Sequence, residues 1–160
     1  MDDIKEMEKA DALLLPGVGA FEDAARKLKE SGLGEVVAEE ARNGKPTMGI
    51  CMGHLLMARA MGGNTVRMSY GHHGGNQPVK DLARGTCVVT SQSHLHLVDK
   101  DNLPANAEVS HINWNDKTVE GLRYADKKAF SVAFVPGGLG GPFDTTYLFD
   151  EFLATVREGK

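Results

Sequence analysis

An α/β fold built on a parallel sheet is what this 160-residue sequence predicts, and three observations carry it. Ala10 to Leu15 is a short apolar run stopped by Pro16-Gly17-Val18-Gly19, which reads as a buried strand ending in a tight turn. The next two segments have helical spacing: Phe21, Ala24, Ala25 and Leu28 between Ala20 and Ser31, stopped by Gly32, then Leu33 to Arg42 before Asn43-Gly44. Thr47-Met48-Gly49-Ile50 is a second strand, Cys51 stands at its end, and Gly53 to Met61 returns to helix. Strands alternating with helices imply a parallel sheet, with Leu13–Leu15 beside or near Met48–Ile50 and Cys51 at a carboxyl end.

After Gly62-Gly63 the pattern changes. Thr65 to Tyr70, Thr86 to Ser91, His94 to Asp99, Glu108 to Trp114, Thr118 to Tyr124 and Phe130 to Phe134 are short β-type runs separated by Gly, Asn, Asp and Pro. Gly71 to Gly75, with His72 and His73 among three glycines, is the most loop-like stretch, suited to close approach of a ligand or a neighbouring backbone. Asp144 to Arg157 closes the chain as a helix with Asp144 as N-cap and Tyr147, Leu148, Phe152 and Leu153 on its apolar face. There is no internal repeat, and the length suits one domain, residues 1–160.

Composition excludes several function classes. Eighteen Lys and Arg against 22 Asp and Glu give a net charge of −4, and no basic run is dense enough for a nucleic-acid footprint. The longest apolar runs fall far short of the roughly 20 residues that span a bilayer, and Met1-Asp2-Asp3 is acidic where a secretory leader is basic. A soluble, cytoplasmic protein is expected, with neither nucleic-acid nor membrane partner, and with Cys51 and Cys87 as free thiols.

The strongest local signal is Gly49-Ile50-Cys51-Met52-Gly53-His54, a cysteine between strand and helix with small residues on both sides. Such an elbow lifts a nucleophile clear of a sheet, and a helix N-terminus favours the thiolate. Spacing alone supports a buried structural cysteine equally well.

Five segments in order resemble the glutamine-hydrolysing small subunit of carbamoyl-phosphate synthetases: Gly49 to Ala60, Tyr70 to Val79, Thr90 to His94, Asn115 to Gly121 and Ala129 to Val132. Leu15 to Phe21 instead resembles the glutaminase subunit of imidazole glycerol phosphate synthases, a sister branch of the class I glutamine amidotransferases, so the chain combines two branches as a recombined or designed sequence would. The resemblance implies a three-layer, flavodoxin-like fold with a mostly parallel central sheet and a smaller antiparallel one, truncated at its amino terminus. It also implies that Cys51 is a nucleophile attacking the glutamine carboxamide, that the Met52 N–H with Gly17 and Gly19 forms an oxyanion hole, and that a synthase subunit is the partner. No cofactor is implied.

The same resemblance exposes departures. Val135 and Gly137 stand where the family has its catalytic histidine and the glutamate that orients it. Valine accepts no proton, and glycine has no side chain to orient one. Leu55 replaces a glutamine, and Ser93, Leu95 and His96 replace the residues expected around His94 in the glutamine-binding segment, to which Gly74 and Gly75 also belong. Three functions follow as candidates: a glutaminase with a displaced base, a non-catalytic or designed scaffold, and a Cys–His hydrolase in which His94 or His96 serves Cys51. No metal site is expected, because the His94-x-His96 pair lacks an identified third ligand. The abbreviated opening, Met1 to Lys9, leaves a sheet edge open, which favours a homodimer unless that segment caps the edge as a short helix.

Overall fold

The computed structural model describes residues 4–124, 128–137 and 142–159; Met1-Asp2-Asp3 therefore lies outside the described residues. Its elements in chain order are α1 (Ile4–Lys9), β1 (Leu13–Leu15), α2 (Phe21–Glu30), α3 (Leu33–Arg42), β2 (Thr47–Ile50), α4 (Met52–Ala60), β3 (Thr65–Asp81), β4 (Cys87–Val98), β5 (Ala107–Asn113), β6 (Val119–Tyr124), β7 (Ala129–Val132) and α5 (Tyr147–Glu158). No helix among them is long and apolar enough to cross a membrane.

All seven strands join one mixed sheet in the order β1-β2-β7-β6-β5-β3-β4. Leu13 to Leu15 pair in parallel with Thr47 to Gly49, as the strand-helix alternation predicts, and β2 pairs in parallel with β7. The remaining pairings are antiparallel. The α/β class stands, but the mostly parallel sheet with a separate antiparallel sheet is replaced by one continuous sheet. β7 is the junction: one edge pairs with β2 in parallel and the other with β6 in antiparallel sense.

Alternation along the strands builds a core on each face. On one side Ala38 and Ala41 of α3 and Leu55, Ala58 and Met61 of the α4 region pack against Val98, Leu122, Tyr124 and Ala129. On the other, Met48, Ile50, Phe130 and Val132 meet Leu148, with Tyr147, Phe149 and Phe152 of α5 around them. Three layers result. Met7 of α1 joins Leu13 and Val37 in a third cluster, and Lys45 Nζ donates to the Met7 and Glu8 carbonyls at 2.8 Å each, tying down the end of α1. Among the described residues β1 pairs only with β2, so the opening segment packs as a helix and adds no strand.

Two local expectations are corrected. Gly71 to Gly75 is not a loop but part of β3, where His72, His73 and Gly74 pair with His94, Ser93 and Gln92. Register shifts on both sides and φ of 121° at Gly74 mark bulges, and a Cβ at Gly71 would lie 2.7 Å from the His94 carbonyl oxygen. The neighbour approached closely is therefore backbone of β4. Asp144 does not cap the last helix; its Oδ2 accepts from the Val89 N–H at 3.0 Å, and the helix opens at Tyr147 after Thr146 with no side-chain cap.

Candidate active site

Cys51 leaves the carboxyl end of β2 with φ of 54° and ψ of −116°, a conformation rare for a residue with a Cβ, and α4 begins at the next residue. The surrounding glycines are there because the turn is crowded. A Cβ on Gly53 would sit 1.7 Å from the Leu15 carbonyl oxygen, and one on Gly49 would sit 2.8 Å from the Gly53 oxygen. Gly17 abuts the same helix start: its Cβ would meet Met52 Cβ at 2.7 Å and the Gly53 nitrogen at 3.1 Å. Gly19 has φ of 107° and faces open space. Strand, elbow and helix thus lock the Pro16–Gly19 turn against the first N–H groups of α4.

A cavity of about 600 Å³ lies over the elbow, within the range of small-molecule sites. It gathers Gly17, Gly19, Cys51, Met52, Leu55, Ser93, His94, Leu95, His96 and Val135, which the sequence singles out, together with Phe21, Glu22, Arg67, His73, Ser91 and Gln92. Arg67 and Glu22 give no signal in the sequence, because only the pairing of Arg67 with His96 and the seating of α2 bring them to the cavity. Gly74, Gly75 and Gly137 do not line it. Leu95 forms part of the wall and leans over Gly71, so its bulk does not close the cavity.

Val135 is 41% exposed at the cavity wall, and its N–H donates to the Ser91 carbonyl at 3.0 Å. Among the described residues, the nearest neighbour that a Cβ at Gly137 would find is Phe149 Cε2 at 3.9 Å. Burial pushes the Cys51 thiol up; a hydrogen bond from the Met52 backbone opposes this, and the negative charge of Glu120 adds to it.

None of the six histidines hydrogen-bonds to Cys51 Sγ, and each is engaged elsewhere. His54, fully buried, places Nδ1 2.8 Å from Ser131 Oγ. His73 Nδ1 lies 3.4 Å from Ser93 Oγ, and His111 Nδ1 lies 2.9 Å from Ser110 Oγ. His96 stacks at 4.9 Å on Phe21 and lies 3.8 Å from a Glu22 oxygen. His94 donates from Nδ1 to the His96 carbonyl at 2.8 Å, with Nε2 3.0 Å from Gln92 Oε1. His72 sits between two carboxylates, Nε2 2.7 Å from Asp116 and Nδ1 2.9 Å from Glu120. Burial alone would lower its pKa, but the two acids raise it to about 9.

His94 and His96 do not act as a pair toward one point. The third ligand-type group lies across the sheet: His72, His94 and the buried Glu120 each offer an atom, all within 4.8 Å of one another. Glu120 of β6 thus groups with His72 and His94, whereas the His94-x-His96 pair singled out in the sequence gains no third ligand among the described residues. Burial pushes the Glu120 carboxyl up, but His72 and His94 outweigh it and hold the group below its ordinary range.

Comparison with known proteins agrees with this architecture. The family described as glutamine amidotransferase class-I matches residues 1–155. The carbamoyl phosphate synthase small chain of Ralstonia nicotianae is 48% identical over 115 residues, covering 72% of this chain and 30% of that protein. That of Methanocaldococcus jannaschii is 52% identical over 108 residues, covering 68% and 30%. The chain therefore spans about a third of the length of these curated relatives. Among solved structures, a Thermoplasma acidophilum protein assigned as one of the subunits of a GMP synthase superposes with a TM-score of 0.80 at 19% identity, covering 98% of this chain and 77% of that one. A glutamine amidotransferase of Thermotoga maritima gives 0.66 at 17% identity, covering 95% and 66%; these two likenesses bear on fold alone.

Proposed function

The chain belongs to the class I glutamine amidotransferase family, and from that premise we propose that it is a glutaminase-like domain in which glutamine hydrolysis is absent or reduced by orders of magnitude. The observation that carries this reading is Val135 at the cavity wall, with no imidazole of the chain hydrogen-bonded to Cys51 and each in contact with other groups. Thioester formation needs the thiol proton removed and the leaving ammonia protonated, and a positioned base contributes about 10²–10⁴-fold to such steps. A thiol whose pKa is raised by burial is the weaker nucleophile without one.

The elbow and oxyanion donors are proposed to persist as architecture. Met52 offers its N–H at the start of α4, and Gly17 is the close neighbour that shapes this corner. The cavity keeps the volume for a glutamine-sized ligand, so binding without turnover is the expected residual property. A synthase-type subunit is the proposed partner, because the relatives named above are small chains of a synthase. The Cys–His hydrolase reading lacks support: His94 and His96 are both occupied within their own strand and with α2.

The test is restoration. Val135→His with Gly137→Glu places an imidazole at the cavity wall and a carboxylate at a position whose Cβ meets nothing nearer than 3.9 Å among the described residues. Ammonia release from glutamine is expected to rise at least about 100-fold over the unaltered chain. A folded double variant with no gain would contradict the proposal that the missing base is what limits the chemistry.

A further inference from the structure

His72, His94 and Glu120 converge behind the cavity with Gln92 beside them, and two of the converging atoms, His72 Nδ1 and Glu120 Oε2, are buried without a hydrogen-bond partner. We propose that His72, His94 and Glu120 form a binding site for a divalent cation of the zinc class, closed by Gln92 or by water from the cavity.

The network orients each group in turn. Thr90 Oγ1 donates to the Gln77 carbonyl at 2.9 Å, so it accepts from Gln92 Nε2 at 3.0 Å. That fixes the Gln92 amide with Oε1 toward His94 Nε2, 3.0 Å away. His94 Nδ1 faces the His96 carbonyl, which can only accept, so Nδ1 carries the hydrogen and Nε2 is the nitrogen left to offer a lone pair to a metal. Nε2 is also 3.7 Å from Glu120 Oε2, an atom that is buried without a hydrogen bond. His72 Nδ1 lies 2.9 Å from Glu120 Oε1 but off the line a hydrogen bond requires, and it too is buried and unsatisfied.

A buried carboxylate among imidazoles needs positive charge at its centre, which a proton on His72 supplies in the metal-free chain and a bound cation would supply in its place. Bonds of about 2.1 Å at tetrahedral angles separate ligand atoms by about 3.4 Å; Glu120 approaches His72 through Oε1 at 2.9 Å and His94 through Oε2 at 3.7 Å, and one atom from each of the three residues lies within 4.8 Å of the others. The outer partners match what orients metal-bound imidazoles: Asp116 on His72 Nε2 at 2.7 Å, and a backbone carbonyl on His94 Nδ1. Asp116 is itself held by the Thr118 hydroxyl at 2.7 Å. Two imidazoles and a carboxylate suit zinc, whereas calcium and magnesium favour oxygen ligands throughout. Gln92 and His94 also line the cavity at Cys51, which gives an ion its path. Since the ligands come from β3, β4 and β6, the ion would fasten the long β3–β4 hairpin to the centre of the sheet.

The experiment uses the whole chain, stripped with chelator and titrated with Zn²⁺ by calorimetry and with Co²⁺ by visible absorption. The expected result is one ion per chain, a raised thermal midpoint, and d–d bands of low-coordinate cobalt. His94→Gln and Glu120→Gln are expected to weaken binding about 100-fold or more, and Asp116→Asn about 10–100-fold, while Cys87→Ser, which removes the exposed thiol, leaves it unchanged. If Glu120→Gln does not fold, the cobalt spectrum of the unaltered chain and the Asp116→Asn affinity carry the test. No binding to the folded chain at millimolar Zn²⁺, or binding indifferent to His94→Gln and Asp116→Asn, overturns the proposal and leaves the ion pairs of His72 with Asp116 and Glu120 as the resolution of the network. No glutaminase readout enters, so failure here does not bear on the catalytic reading.

Discussion

Single residues in this chain set what its core tolerates and when. His54 is the clearest case: fully buried on α4, it has a partner for Nδ1 in Ser131 but none for Nε2. Burial pushes its pKa down to about 3, with Glu120 opposing and His94 and His111 adding to the effect. Unfolded, the imidazole titrates near its ordinary 6.5. Above that pH it is neutral in both states and no stability is lost. As pH falls from 6.5 toward 3 the unfolded chain takes up a proton that the native state refuses, so stability declines by up to about 1.4 kcal/mol per pH unit. Urea midpoints measured across this interval are expected to fall less steeply for His54→Asn, which keeps a group facing Ser131. Parallel slopes for the two proteins would show that His54 is not the titrating group.

At the scale of elements, the seating of α4 on β1 and β2 holds the elbow in place. Gly53 passes the Leu15 carbonyl so closely that a methyl group would lie 1.7 Å from it, and that neighbour is backbone, which cannot rotate aside. Gly53→Ala is expected to destabilise the chain by about 3 kcal/mol or more, whereas Gly137→Ala, with no neighbour nearer than 3.9 Å among the described residues, should be close to neutral. Chemical denaturation of both variants checks this; equal midpoints would mean that α4 is free to lift from β1. This region was legible in the sequence, since Pro16-Gly17 and Gly49-x-Cys51-x-Gly53 announce a strand end and an elbow by local chemistry alone. The β3–β4 hairpin was not. His72 to Gly75 has loop composition, and what makes it strand is pairing with His94 to Gln92, a tertiary fact. Glu120 was hidden for the same reason: only the fold sets a carboxylate at 0% exposure beside two imidazoles from other strands.

For the molecule as a whole, the sheet ends in two edges, β1 and β4. Leu14 of β1 is 50% exposed, and the β1 backbone pairs on one side only among the described residues. An edge of this kind invites pairing with a second chain, so the 160-residue chain on its own is expected to associate as a dimer through it. Light scattering decides between that and a monodisperse monomer at high concentration, which would show that the edge is protected within one chain. Three layers, one mixed sheet and an elbow opening on a cavity make up the described chain, and Leu55, Ser93, Leu95, His96 and Val135 all line that cavity. The account turns on whether that wall still supports chemistry. Ammonia release from glutamine by the unaltered protein, followed over hours at high enzyme concentration, is the most direct measurement. The prediction is a rate at least about 100-fold below that of the Val135→His, Gly137→Glu variant. Turnover of the unaltered chain at the roughly 1–10³ s⁻¹ ordinary for enzymes would contradict it, because a base would then have to serve Cys51 although no described imidazole hydrogen-bonds to it.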